Sequence, residues 1–510
     1  MRRRSKHRRT RRAARFELSE ARRVARERFR IQELRPEQER ALAAVAAGRD
    51  VLLVQPTGSG KSLAYQLSAM LLDEPTVVVS PLLALMADQE KKLRRLNLPV
   101  VRLDSTVGAE ARRDALAAIA RGGPRVVLTT PETLRSEPLA LALEQSGVAL
   151  LAVDEAHCIS EWGHDFRPAY LRIPDAVARL RPRSLMALTA TATPRVQQSI
   201  VDQLGMRSPE VIAAPPHRPN LLFSVETLSG TQKVERLASL IRSLRRPGIV
   251  YCSTVEMVDR LAAALRSVRV PMAAYHGRMP RAEKERAQRR YMSPRRRLVM
   301  IATSAFGMGI DKPNIRYVVH YQTPGSLEQY VQEAGRAGRD GRPAQNILLF
   351  DPADLSIQRR LEARGRPSVE GLERLSSAIL AWAREDRPLE TRALALAAQV
   401  TPAATRSALA ALEEAGLLEP RGRDRWMLAS SEEEFAAASS ELARRFETLR
   451  REDEHRLASI EAYARTSECR SVFIRRYFGE ADPPACGRCD RCVQARREPH
   501  ARRAAHAHAA

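Results

Sequence analysis

The chain has 510 residues, with 85 Lys or Arg against 60 Asp or Glu and a net charge of +25. That length leaves room for three or four domains, and an apolar fraction of 44% suffices for sizeable cores. No apolar stretch approaches the ~20 residues that span a bilayer, which excludes a helical membrane span, and the charge excess favours a polyanion as partner, nucleic acid before an anionic membrane surface.

Residues 1–15 hold nine Lys or Arg and no acid. Such a block is expected to be a solvated, disordered arm, here drawn over 1–30. It has no apolar stretch behind it, so it is not a secretory signal, and being nearly pure Arg it differs from a Ser-rich transit peptide. A cytoplasmic protein is expected.

Over 31–210 short apolar runs alternate with Ala/Leu/Arg stretches; the runs are Val51–Val54, Val77–Val79, Val126–Leu128 and Leu150–Val153. Short buried runs alternating with helices predict a parallel sheet in an α/β domain. Behind the first run stands Gln55-Pro56-Thr57-Gly58-Ser59-Gly60-Lys61-Ser62. A strand before and a helix after are the context of a phosphate loop. Gly58 and Gly60 let the backbone turn its N–H groups onto phosphate, with Thr57 and Ser59 between and before them. Lys61 reaches the β- and γ-phosphates, Ser62 ligates Mg²⁺, and the helix N-terminus adds its dipole. Gln55 stands where the general pattern has Gly. A Gly-rich surface turn is the plain alternative.

The run Leu150–Val153 ends in Asp154-Glu155. Asp154 is placed to hold Mg²⁺ through water, and Glu155 to orient the attacking water and take its proton. An isolated Asp-Glu is usually surface charge. Its position behind a later strand of the phosphate-loop domain favours chemistry. Trp162, His164, Phe166 and Arg167 crowd in just behind it.

A Pro-rich stretch at 213–219 marks a linker. Alternation then resumes at Gly248–Tyr251, Leu298–Ile301, Tyr317–His320 and Ile347–Phe350, a second α/β domain over 211–352. It contributes Gly335-Arg336-Ala337-Gly338-Arg339-Asp340-Gly341. Arg336 and Arg339, three apart on an expected helix start, share a face. One can act as an arginine finger in cis on a γ-phosphate; a basic helix end on the surface is the alternative.

Beyond Asp351 the pattern turns helical. Helices are expected over 369–386 and near 389–399. A third is capped by Thr401 with Pro402 at its first position and closed by Gly416. A strand, a basic turn and a second strand follow to Leu428. This predicts a winged-helix-like domain over 368–428. A helical hairpin and a cysteine cluster fill 430–494, and a disordered tail with His500, His506 and His508 takes 495–510. Of the six cysteines, Cys158 and Cys252 stand alone, as buried small hydrophobes. Cys469, Cys486, Cys489 and Cys492 space as C-x16-C-x2-C-x2-C. Four thiolates suit a closed tetrahedral Zn²⁺ site, and an iron–sulfur cluster uses similar ligands.

In order, these motifs resemble superfamily 2 helicases and, within them, the RecQ family. Leu34-Arg35-Pro36-Glu37-Gln38 looks like the family's adenine-reading element, which assigns Arg35 and Gln38 to the nucleotide. Ser80–Gln89 and Thr129–Glu132 look like its DNA-backbone motifs, and Leu188–Thr193 like motif III. Tyr275-His276-Gly277, Ala302–Asn314, the Gly335–Gly341 run and the zinc segment at 466–493 are similar to RecQ signatures. The resemblance implies an α/β fold of two tandem RecA-like parallel-sheet domains followed by a winged-helix-like insert and a helical zinc-binding subdomain. It implies ATP, Mg²⁺ and Zn²⁺ as cofactors and single-stranded and forked duplex DNA as partner. It further implies 3′-to-5′ unwinding in recombination and repair, at the nucleoid if the source is bacterial.

The resemblance also makes the loop behind Glu155 a DNA sensor. Bases stack on Trp or Phe with ~1–3 kcal/mol, whatever the sequence, so Trp162, His164, Phe166 and Arg167 would report a bound strand to Glu155. Departures are Ile31, where the family has an aromatic; Glu161, where many members have Gln; the winged-helix-like pattern standing before the zinc ligands; and no pattern of a C-terminal HRDC-type domain. Two other classes stay open. One is a DNA-stimulated translocase that does not separate strands. The other is a DNA-binding factor with a decayed ATPase, against which Lys61, Glu155 and Arg339 stand.

Overall fold

The computed structural model describes residues 16–123, 126–160, 167–214, 216–307, 310, 312–422 and 424–497. The chain forms two compact units. The first takes residues 1–218 with 307–312 and 475–483, and the second takes 219–306, 313–474 and 484–510. Among the described residues no helix is long and apolar enough to cross a membrane.

The first unit is built on seven strands: β1 (Val51–Val54), β2 (Thr76–Val79), β3 (Val100–Leu103), β4 (Val126–Thr129), β5 (Leu150–Val153), β6 (Ser184–Thr189) and β7 (Glu210–Ala213). They lie in the order β3-β4-β2-β5-β6-β1-β7, every pair parallel. The unbroken apolar run of β1 follows from burial on both faces. Val51 and Leu53 enter one core, Leu52 and Val54 the other. β7 extends the first sheet past residue 210, so the expected boundary there falls too early. As an edge strand with Glu210 and Ala213 outside the core, β7 carries no apolar run to announce it.

Three helices of this unit bear on the site: α1 (Leu18–Phe29), α2 (Pro36–Ala46) and α3 (Lys61–Leu71). α1 corrects the expectation of a disordered arm over 1–30. Ala21 and Ala25, one turn apart, are buried with Phe16 in the first core, and Arg22 pairs with Glu39 of α2 at 2.6 Å. The arginines stay outside while the small residues pack, so a basic composition hid an amphipathic helix. Residues 1–15 lie outside the described residues.

The second unit carries β8 (Leu221–Thr227), β9 (Gly248–Tyr251), β10 (Met272–Tyr275), β11 (Val299–Ala302), β12 (Tyr317–His320) and β13 (Ala344–Phe350), again wholly parallel, in the order β10-β11-β9-β12-β13-β8. α4 (Leu327–Ala334) follows β12, and α5 (Pro352–Gly365) follows β13. Asp354 pins α5 to the sheet domain: it meets buried Lys233 at 2.8 Å and accepts the Thr323 N–H at 2.9 Å.

Next come α6 (Val369–Arg384), β14 (Leu389–Glu390), α7 (Thr391–Ala397), α8 (Pro402–Glu414), β15 (Leu418–Pro420) and β16 (Arg425–Leu428). The strands form an antiparallel β14-β16-β15 sheet, the element order of a winged helix. Thr401 caps α8 through the Ala404 N–H at 3.2 Å, and Gly416 closes it at φ 74°. Leu375, Ile379, Leu409 and Leu412 share a core with Phe435, Leu442 and Phe446 of α9 (Glu432–Arg465). α9 is 34 residues long and starts on a capping box, in which Ser431 and Glu434 satisfy each other's backbone N–H. Farther along, its Asp453 meets Arg366, just past α5, at 2.8 Å. The winged-helix-like module is therefore an insertion between two helices that pack together. α10 (Arg470–Tyr477) follows. Residues 490–497 are helical too, three residues into the stretch expected as a tail.

Candidate active site and metal centre

The phosphate loop leaves β1 with Gly58 at φ 82° and Gly60 at φ 85°, the left-handed region that favours glycine. Gly60 also has no space for a side chain, because a Cβ there would lie 2.8 Å from Gln38 Nε2. Buried Gln38 accepts the Arg35 N–H at 3.0 Å and donates to Ser59 O at 3.4 Å and Gly60 O at 3.3 Å. The adenine-side element and the phosphate loop are thus braced by one side chain, while Arg35 is exposed at the α2 start. Gln55, where the general pattern has Gly, is 2% exposed and accepts from Ser59 Oγ at 3.2 Å. Lys61 Nζ donates to Gln55 O at 2.7 Å and Pro56 O at 3.3 Å, over the loop. Thr57 and Ser62 are half-buried beside it. Ile31, one of the departures, packs against the first core with Leu34.

Asp154 stands at the β5 end. Its N–H donates to Val79 O at 2.9 Å, and Tyr170, fully buried, donates its hydroxyl to Asp154 O at 2.8 Å. Removal from water, then the Glu155 charge, pushes the Asp154 carboxyl up to about 7, and Lys61 opposes the rise. Lys61 and Asp154 therefore act on one another electrostatically. Tyr65 of α3 is fully buried; burial raises its pKa, the Asp154 charge adds to the rise, and a hydrogen bond to Ser62 opposes it.

Glu155 adopts φ 49°, ψ 44°. A β-carbon in the left-handed region costs roughly 1–2 kcal/mol, so the chain holds this carboxylate in a turn it does not prefer. The next residues wind into a 3₁₀ turn, Ala156–Ile159, that puts His157 underneath. His157 is 2% exposed. Its Nδ1 lies 3.4 Å from Glu155 Oε2 and 2.9 Å from Thr189 Oγ1. The Thr189 hydroxyl gives its proton to Thr191 O at 3.1 Å. That assigns the proton between His157 and Thr189 to Nδ1. A dry relay thus joins the Asp154-Glu155 turn to the end of β6. Arg167 donates its N–H to Cys158 O at 2.9 Å. Trp162, His164 and Phe166, with Glu161, lie outside the described residues.

In the second unit Arg336 and Arg339 sit past the C-terminal end of α4, in a run of turns over 335–340 with Gly338 at φ 54°. The expected helix start is thereby corrected: Gly335 and Gly338 break the helix instead of opening one. Arg336 is 6% exposed and hydrogen-bonds the Tyr251 hydroxyl. Around it Glu333 accepts from His320 at 2.8 Å and from Gln329 at 3.1 Å, and His320 stacks on Tyr251 at 5.6 Å.

The sulfurs of Cys469, Cys486, Cys489 and Cys492 all lie within 4.8 Å of one another. Sγ of Cys469 is 3.5 Å from that of Cys486 and 3.9 Å from that of Cys489. A tetrahedron with Zn–S bonds near 2.3 Å has edges of about 3.8 Å, so the donor set fits one Zn²⁺. It is too tight for an iron–sulfur cluster. Backbone N–H groups of Cys486, Cys489 and Cys492 point at the sulfurs over 3.3–3.5 Å. Arg470, 1% exposed, braces the loop: it meets Asp490 at 3.1 Å and donates to the carbonyls of Tyr463 and Ala464. Asp490 in turn accepts the Val225 N–H of β8 at 3.1 Å. Cys158 and Cys252 are buried.

Sequence reasoning missed His157, Thr189, Tyr65 and Tyr170 as supporting groups. Only the first two lay inside quoted motifs, where pairing of an Asp-Glu-x-His turn with a Thr-rich strand end was a usable signal.

Tandem parallel sheets, the first with a phosphate loop behind β1 and an Asp-Glu-Ala-His turn behind β5, one strand apart on the same rim, define a DEAD/DEAH-type two-domain helicase fold. Family matches agree: DEAD/DEAH box helicase over residues 35–200, helicase conserved C-terminal domain over 232–341, and RecQ zinc-binding over 426–493. The chain is 34% identical over 471 residues to the ATP-dependent DNA helicase RecQ of Synechocystis sp., covering 88% of this chain and 93% of that protein. It is 31% identical to the RecQ of Bacillus subtilis over 92% of this chain. The chain belongs to the RecQ family. It spans 66% of the B. subtilis RecQ and 52% of the Haemophilus influenzae one. Two solved structures share the fold. Helicase MrfA bound to DNA has a TM-score of 0.55 at 19% identity, covering 83% of this chain and 64% of that one. Mycobacterium smegmatis Lhr bound to ssDNA and AMP-PNP has a TM-score of 0.53 at 22% identity, covering 79% and 60%.

Removing Arg470 leaves Asp490 and two carbonyls without their partner. Arg470→Ala is expected to cost about 3 kcal/mol, at the low end for breaking a buried pair because Asp490 is partly exposed. The check is the urea midpoint of the second unit together with bound zinc per chain.

Proposed function

We propose that this chain is an ATP- and Mg²⁺-dependent DNA helicase that moves 3′ to 5′ along single-stranded DNA and separates duplex ahead of it in recombination and repair. The observation that carries the reading is that the phosphate loop behind β1 and Asp154-Glu155 behind β5 end on one rim of the first parallel sheet. Membership in a family whose named relatives are ATP-dependent DNA helicases supports it.

Arg35 and Gln38 read the adenine edge, and the amides of Thr57 to Gly60 bind phosphate oxygens. Ser62 and Asp154 hold Mg²⁺, which when bound neutralises charge on the phosphates. Lys61 covers the β- and γ-phosphates. Glu155 orients the attacking water and accepts its proton, with His157 packed beside it. Arg336 and Arg339 balance charge developing on the γ-phosphate. Zn²⁺ on Cys469, Cys486, Cys489 and Cys492 is structural, since all four positions of a tetrahedral ion are taken by protein.

DNA coupling is assigned to Trp162, His164, Phe166 and Arg167. Aromatic faces stack on bases, and Arg167 adds charge. The segment begins a few residues past His157, so a strand seated there displaces the turn that carries Glu155. The site of action is the cytoplasm, at the nucleoid in a bacterium.

One observation favours a second reading. The winged-helix-like module is inserted ahead of the zinc ligands, so its β15–β16 turn has no assigned place at a fork. A translocase that hydrolyses ATP on DNA without opening duplex fits that arrangement.

Forked duplexes with either overhang separate the readings. The helicase unwinds the 3′-tailed fork with ATP; hydrolysis without strand release on either fork selects the translocase. Glu155→Gln is expected to lower DNA-stimulated hydrolysis by at least ~100-fold, the loss of a general base, while ATP binding by equilibrium dialysis persists. Trp162→Ala is expected to retain DNA binding and lose most of the DNA stimulation of hydrolysis. A wild-type ratio of rates with and without single-stranded DNA would remove the sensor role.

A further inference from the structure

The second unit carries a basic groove that takes no part in ATP chemistry. A concavity of about 440 Å³ lies along the N-terminal ends of its strands, lined by Arg245, Arg246, Arg297 and Arg342. Another of about 500 Å³ continues beside the zinc knuckle, lined by Arg488 and Arg497. The two share Leu222 and Gln345, from the starts of β8 and β13, and so form one channel. Arg336 and the Tyr251 end of β9 belong to the opposite, C-terminal rim of the same sheet.

The charge in this channel is not cancelled. Its two lining carboxylates are already taken: Asp340 meets Arg316 at 2.7 Å through both oxygens, and Asp490 meets Arg470 at 3.1 Å. Arg245, Arg297, Arg342 and Arg497 are exposed, Arg246 is half-buried, and none of the five makes an ion pair with the described residues. Guanidiniums in a concave, low-dielectric wall focus a positive potential and match phosphate in bidentate geometry.

The lining also indicates which polyanion fits. Among the described lining residues the one aromatic side chain, Phe223, is 9% exposed and packs on Tyr330 at 6.1 Å. No ring is free to stack on an unpaired base, and no aromatic anchor is presented to a protein partner. What remains is contact with phosphates. We propose that this groove is a second, sequence-independent site for the backbone of duplex DNA. It needs neither ATP nor the loop behind Glu155.

The test is binding of a fluorescein-labelled blunt duplex of about twenty base pairs, followed by anisotropy across a salt series without nucleotide. Each phosphate contact adds about 0.9 to the slope of log K against log salt, so the triple variant R245A/R297A/R342A is expected to lower that slope by about 2.7. Melting temperature and bound zinc should match the parent. If the triple variant folds poorly, each single alanine variant is expected to lower the slope by about 0.9. A wild-type slope in the folded variants overturns the proposal. So does a wild-type slope with lost binding of a labelled polyglutamate peptide, which would make the groove a docking surface for an acidic protein. The assay contains no ATP, so its failure is distinct from failure of hydrolysis or unwinding.

Discussion

Parallel pairing of β5, β6 and β1 is the constraint on which the candidate nucleotide site rests. Val153 sits beside Ala187, and Val54 beside Thr189. Parallel strands all end at one rim, so whatever follows each of them must meet there. The phosphate loop follows β1, Asp154-Glu155 follows β5, and Thr189 closes β6. Burial on both faces keeps the three strands in register, since Val51 and Leu53 serve one core while Leu52 and Val54 serve the other.

At this rim the Asp154 carboxyl is removed from water, and that has consequences for its charge. Asp154 loses water and gains the repulsion of Glu155, and the Lys61 charge opposes the rise. Glu155 is kept in a left-handed turn. The groups that hold it are uncharged or polar and packed underneath: Tyr170 on the Asp154 carbonyl, and His157 on Thr189. Strain of this kind persists where neighbours over-determine the geometry. The same neighbours give the turn a mechanical link to β6, so a displacement at either end reaches the carboxylate.

In the second unit, aromatic and ionic packing plays the corresponding part. Tyr330 of α4 packs on Tyr463 of α9 at 5.1 Å, their hydroxyls 3.3 Å apart. Arg470 then ties Tyr463 to Asp490 in the zinc loop. The cysteine centre is thereby continuous with the helix that leads to Arg336. The packing that holds the four cysteines together is thus shared with the helix that precedes Arg336.

Residues adjacent in the chain made much of this readable in advance. A phosphate loop is one turn, Asp154-Glu155 one strand end, and C-x2-C-x2-C one knuckle; each needs only local geometry, so spacing and residue type suffice. The two parallel sheets were legible for a similar reason, because strands buried on both faces cannot avoid being apolar. What composition hid was α1, whose arginines mask Ala21 and Ala25, and β7, an edge strand too exposed to carry a pattern. The helix start expected at Arg336 failed because Gly335 and Gly338 stop α4. The sequence by itself determined which groups are candidates for the chemistry. Only the tertiary structure decided which groups support them, that Gln38 braces the phosphate loop, that His157 rests on Thr189, and that unpaired arginines gather along the N-terminal rim of the second sheet. Those pairings depend on strand order and on which ends share a rim, and no local period in the chain encodes either.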